Sequence, residues 1–110
     1  MKLASFRLQN KDTYGAIVDG GVIDLGKKLK YPDLRSLLEA GALAEAASAA
    51  KGAKADALLT DITFLPVLAN PGKIICVGLN YKTHREETGR SETENPALFV
   101  RFPDSQTAHL

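Results

Sequence analysis

The chain has one cysteine and no tryptophan in 110 residues. A single cysteine, Cys76, excludes an internal disulfide, and it fits a reducing, cytoplasmic compartment. No uninterrupted apolar run is long enough to span a bilayer. The N-terminal stretch MKLASFRLQNKD lacks the long apolar centre of a signal peptide. No membrane partner is therefore expected. A stripe of one charge is missing too. The formal net charge is +1, with both signs interspersed, which argues against nucleic acid as a partner. A chain this short buries a smaller fraction of its surface than a full-size enzyme does, so a deep, closed active site is hard to build from it alone. What is present is ordinary for a soluble domain, with 45% hydrophobic and 25% charged residues.

The pattern along the chain predicts an α+β fold. Residues Lys2 to Leu8 alternate as a strand does. Gln9 to Thr13 reads as a polar turn, Tyr14 to Asp19 as a second strand, and Gly20-Gly21 as a hairpin signal leading into a third strand, Val22 to Leu25. Lys27-Lys28-Leu29-Lys30 reads as a solvated loop. Leu34, Leu37 and Leu38 then fall at helical spacing behind Asp33, a candidate cap. Gly41 interrupts, and Ala42 to Ala50 continues as an alanine-rich helix. The apolar faces of Leu34, Leu37 and Leu38 need cover, so this helical segment should pack on the meander. Ala55 to Leu59 fits no single pattern. Ile62 to Leu68 is β-like and broken by Pro66. Pro71-Gly72 is a turn and the expected boundary between a domain over 1–70 and a second over 71–110. In that second part a strand, Lys73 to Val77, precedes a polar segment, a helix start over Thr83 to Glu87, and a loop over Gly89 to Pro96. A last strand, Ala97 to Arg101, is followed by a turn, Phe102-Pro103-Asp104-Ser105. Nothing after it closes over the last strand, and the chain reads as the N-terminal portion of something longer.

The densest chemistry lies in GLNYKTHREE, Gly78 to Glu87. A general base needs an imidazole oriented by a carboxylate. His84 and Glu87 offer both, three apart, which on a helix is one face. The same pair also reads as an ordinary exposed helix pair. Asn80 and Tyr81 read either as substrate contacts or as a turn with an anchored ring, and Arg101 as a site residue or a solvated strand end. Cys76 reads as a small buried apolar residue, Tyr14 as strand packing, and His109 as tail.

The run Lys73-Ile74-Ile75-Cys76-Val77-Gly78-Leu79-Asn80-Tyr81, then His84 and Glu87, then Pro96-Ala97-Leu98-Phe99-Val100-Arg101, resembles the fumarylacetoacetate hydrolase family. Members carry a Gly-x-Asn-Tyr-x-x-His-x-x-Glu segment followed by a strand ending in Phe-x-Lys or Phe-x-Arg and a proline. The likeness covers about residues 71 to 106, with 1–70 matching loosely the small N-terminal domain of bacterial members. It implies a β-roll catalytic domain, here truncated. It also implies a homodimeric parent that uses Mg²⁺ or a similar divalent ion to hydrolyse, decarboxylate or isomerise 1,3-dicarbonyl and 2-oxo acids, including products of aromatic compound catabolism. By that resemblance His84 takes a proton, Glu87 orients it, and Arg101 stabilises developing oxyanion charge, while Asn80 and Tyr81 contact substrate. Arg101 stays charged and cannot readily trade protons.

The family's acidic metal ligands, a Glu-x-Glu pair and an Asp, lie downstream of the His segment, and this chain has none there. Glu92 and Glu94 have the spacing but precede the last strand. No metal ligands are therefore expected in this chain, which alone is expected to be inactive. The competing expectation is a stand-alone, non-catalytic binding or oligomerisation module.

Overall fold

The computed structural model describes residues 1–78, 89 and 97–110. These fall into two compact units. One comprises Met1–Asn70 with Gln106–Leu110, the other Pro71–Ser105. The architecture is α+β.

The first unit opens with a meander: β1 (Lys2–Leu8), β2 (Lys11–Val18) and β3 (Gly21–Asp24). The β1–β2 turn is only two residues, Gln9 and Asn10, both at positive φ. Two positive φ values give the tight turn whose twist matches that of the flanking strands. Lys11 to Thr13, expected in the turn, therefore belong to β2. The β2–β3 turn uses Asp19-Gly20, with Gly20 at φ 71°.

The third strand ends one residue earlier than its apolar pattern suggests. Leu25 opens a single helical turn, α1 (Leu25–Lys28), because the buried Asp24 carboxylate accepts the Lys27 backbone N–H and caps it. The lysines expected in a loop thus lie at a helix end. Lys27 approaches Asp24 (3.9 Å) and Lys28 pairs with Asp56 (3.4 Å).

Helices α2 (Leu34–Glu39) and α3 (Leu43–Ala50) follow. Asp33 caps α2 by accepting the Ser36 N–H at 2.7 Å, and Gly41 at φ 64° separates the two helices. Leu34 and Leu37 pack with Ala42 and Ala46 against Tyr14, Ala16, Ile23 and Leu25, so the helices do cover one face of the sheet. Leu38 was expected in that core but is 40% exposed. The helical stripe is narrow enough to bury only one of the two adjacent leucines.

Two short strands complete the sheet, β4 (Ala57–Leu58) and β5 (Ile62–Phe64), in the order β4-β3-β2-β1-β5. Its two edges are β4 and β5, and only a 3-10 turn, Leu59–Asp61, separates them in the chain. A sheet whose edges are joined by so short a link must roll upon itself. The side chains agree. Ala57 from one edge and Ile62 and Phe64 from the other pack on the same cluster of Ala4, Phe6 and Val22. Phe6 is fully buried at the centre of this roll. The tail Gln106–Leu110 groups with the first unit, and the His109 ring packs edge-on against Phe64 with centroids 5.8 Å apart.

Among its described residues, the second unit contains one antiparallel pair, β6 (Ile74–Gly78) with β7 (Ala97–Arg101), followed by a 3-10 turn at Pro103–Ser105. Ile75, Val77, Leu98 and Val100 share one face and are 49–70% exposed. Cys76, expected to be buried, is only partly so, because a two-stranded sheet has too little material to cover either face. Among the described residues, no helix is long and apolar enough to cross a membrane.

Candidate functional site

The residues singled out in the sequence fall within the span of the second unit, Pro71–Ser105. Asn80, Tyr81, His84 and Glu87 lie outside the described residues, as do the helix start at Thr83, most of the loop 89–96, and Glu92 and Glu94. Their frame is described. β6 delivers the chain to Gly78, and β7 receives it at Ala97, which is Gly78's partner across the ladder. Residues directly opposite in an antiparallel pair sit about 4.5–5.5 Å apart at Cα. The stretch that carries the imidazole and the carboxylate is thus held at both ends by one cross-strand pair. Apolar β-branched residues at Ile74, Ile75, Val77 and Val100 favour the extended strands that make this base.

Arg101 lies at the other end of the same ladder, opposite Ile74. Four residue steps separate it from Ala97, roughly 13 Å along a strand. It is exposed, and its Nε donates to Ser105 Oγ at 3.3 Å, while that hydroxyl donates to the Phe102 carbonyl at 2.7 Å. Arg101 shares a face with Cys76 and Phe99, the alternate residues of the two strands, and Ala97 lies on that face as well.

The sequence reading passed over a second group of polar side chains, in the first unit. Asp24 is 2% exposed and accepts the Thr13 hydroxyl at 2.7 Å. Its own backbone N–H donates to Asp56 Oδ2 at 2.8 Å. Each of these contacts ties a strand to a loop or cap, which gives the buried carboxylate a structural task. The signal in the sequence was the acidic residue just before Leu25-Gly26-Lys27-Lys28, a cap position. A cavity of about 120 Å³ opens beside Ser5, Tyr14, Leu34, Leu65 and Val67. Its polar atoms are engaged: Ser5 Oγ donates to the Val67 carbonyl at 2.7 Å, and the Tyr14 hydroxyl to the Tyr31 carbonyl at 3.0 Å. Burial, before any neighbouring charge, pushes the Tyr14 phenol above its ordinary value, so it stays protonated and donating.

Among the described residues, no three His, Cys, Asp or Glu side chains converge as a metal site. Hard divalent ions need several oxygen ligands, and the described residues do not bring such a set together.

No family model matches the chain. Partial matches to known proteins do occur. The chain is 41% identical over 46 residues to the mitochondrial oxaloacetate tautomerase Fahd2a of Rattus norvegicus, covering 42% of this chain and 15% of that protein. It is 46% identical over 35 residues to a fumarylacetoacetate hydrolase domain-containing protein 2 homolog of Dictyostelium discoideum, covering 32% of this chain and 12% of that one. The chain thus spans well under a quarter of the length of these relatives. Among solved structures, an HpcE protein from Mycobacterium smegmatis matches with a TM-score of 0.68 and 25% identity, over 92% of this chain and 36% of that one. Partial as they are, these matches agree with the likeness of the Gly-x-Asn-Tyr-x-x-His-x-x-Glu segment to the fumarylacetoacetate hydrolase family.

Proposed function

We propose that this chain forms the N-terminal part of an enzyme that hydrolyses, decarboxylates or tautomerises a 2-oxo acid or 1,3-dicarbonyl acid. The observation that carries the reading is the His84–Glu87 spacing, mounted on a ladder whose Gly78–Ala97 pair holds both ends of the segment. A tautomerase for oxaloacetate among the relatives supports the substrate class. In this reading His84 removes a proton from the carbon beside a carbonyl or from water. Glu87 holds the imidazole in the accepting tautomer and favours the imidazolium that forms. Asn80 and Tyr81 orient the substrate, and the permanently charged Arg101 attracts its carboxylate or enolate oxygen. The acidic ligands for Mg²⁺ or a similar ion would come from residues outside those described.

The test has two arms. The 110-residue chain, assayed with Mg²⁺ or Mn²⁺ against oxaloacetate and acylpyruvates, is expected to show no turnover. In a full-length protein bearing this segment, His84→Ala is expected to lower kcat by about 10²- to 10⁴-fold while circular dichroism stays unchanged. Near-normal turnover of His84→Ala would reduce the pair to an exposed helix contact worth only a few tenths of a kcal/mol. A second reading, a non-catalytic binding or oligomerisation module, draws on the apolar face of Ile75, Val77, Leu98 and Val100. Near-normal turnover of His84→Ala in the longer protein, with self-association of the inactive 110-residue chain in solution, would favour it.

A further inference from the structure

Residues Leu65 to Asn70 have no regular secondary structure of their own, yet they are stitched to the first unit along their length. The Leu65 N–H donates to the Ser5 carbonyl at 3.0 Å, and Ser5 Oγ donates to the Val67 carbonyl at 2.7 Å. The last stitch is double. Asn70 Nδ2 donates to Asp33 Oδ2 at 2.9 Å, and Arg35 Nη1 donates to the Asn70 carbonyl at 2.9 Å. Both anchors are themselves fixed. Asp33 Oδ1 accepts the Ser36 N–H at 2.7 Å, and Arg35 Nε binds Glu39 Oε1 at 2.7 Å. Asn70 is also the last residue of its unit before Pro71. A proline confines the residue before it to extended backbone, and the glycine that follows, Gly72, has the widest backbone freedom of any residue type.

We infer that Asp33 and Arg35 form a clasp on Asn70 that fixes the coil Leu65–Asn70 to the first unit and ends the rigid stretch at that residue, just ahead of Pro71–Lys73. Coil with few partners opens at low free energy. The clasp converts what would be a loose six-residue strap into a fixed one. The inference rests on hydrogen bonds within the first unit and is independent of any catalytic reading.

The test is backbone ¹⁵N relaxation on the full 110-residue chain. Order parameters are expected near the rigid value of about 0.85 through Ala69 and Asn70, and below about 0.6 at Gly72. In an Asn70→Ala/Arg35→Ala double variant the drop is expected to move back to Leu68 or Ala69. Proteinase K cleavage within residues 66–70 is expected to rise about tenfold, which corresponds to roughly 1.4 kcal/mol of local opening and is within what the loss of two hydrogen bonds supplies. Asp33→Ser is the second variant. A serine still caps α2 but has no second oxygen to reach Asn70. It is expected to reproduce the shift with the fold retained. An order drop already present at Leu65–Ala69 in the unmodified chain, or unchanged order through Asn70 in Asp33→Ser and the double variant, would overturn the clasp.

Discussion

At the scale of single residues, two positions are held by demands that composition does not reveal. Gly15 sits mid-strand in β2, where a β-carbon would collide with the Ile23 carbonyl and press on the Phe6 ring at 3.2 Å. The collision is with backbone, which cannot step aside as a flexible side chain does. Gly15→Ala is expected to cost about 1–3 kcal/mol, and urea unfolding should show a lower midpoint with an unchanged slope. Asp33 sets the acid limb of stability. Its carboxylate is held below the ordinary 3.8 chiefly by the hydrogen bond from the Ser36 backbone, then by the Ser36 side chain, Asn70 and the Arg35 charge. A lowered folded-state value contributes stability that is complete above the unfolded value and is lost as pH falls through the folded one. Urea midpoints measured between about pH 5 and pH 2 should therefore decline, and Asp33→Asn should flatten part of that decline. Tyr14 acts on the opposite limb. Its raised value makes its contribution complete below its ordinary value of 10.0 and lost as pH climbs above it.

At the scale of elements, α2 gives the sharpest contrast. Leu37 is fully buried and Leu38 is 40% exposed, one position apart. Leu37→Ala is expected to cost about 2–5 kcal/mol and Leu38→Ala under about 1 kcal/mol, measured as thermal or urea unfolding of the pair. The sequence could place this helix, because spacing and the Asp33 cap are local signals. It could not say which neighbouring leucine turns inward, because that depends on where the sheet lies. Similar reasoning separates the other elements. β1 and β7 were legible to the residue, since alternation and flanking turn residues mark them. The helical turn at Leu25 was not, because four residues carry no period and the turn exists through the buried Asp24. β4 was ambiguous because a two-residue strand is defined by its partner Val22, far off in the chain. The His segment lies outside the described residues, so its reading rests on spacing and resemblance, and the ladder supplies only its base.

At the scale of the whole molecule, the two units differ in how much they bury. Ala4, Phe6, Tyr14 and Ile23 are nearly or fully covered in the first, whereas every residue of β7 is exposed in the second. An isolated two-stranded sheet is marginal in water. Amide exchange of Ile74–Gly78 and Ala97–Arg101 is therefore expected to be at least tenfold faster than that of β1 and β2, a ratio that corresponds to roughly 1.4 kcal/mol of local opening. Strong protection in β7 with weak protection in the meander would contradict that order, and would point to association of copies through the second unit.

The rolled sheet has a consequence for the moment of synthesis. β1 leaves the ribosome well before β5, the strand that supplies its second neighbour, with Phe6 opposite Phe64. At translation speeds of about 5–20 residues per second, the strand waits on the order of seconds for that partner to emerge. Until residues 57–64 emerge, both edges of the meander are unpaired and the ring of Phe6 lacks its cover. Unpaired edges with apolar neighbours are where nascent chains stick to one another. The two charged residues of this strand, Lys2 and Arg7, and the tight Gln9-Asn10 reversal that lets β2 pair at once, are what the growing chain has to protect itself until residue 64 arrives.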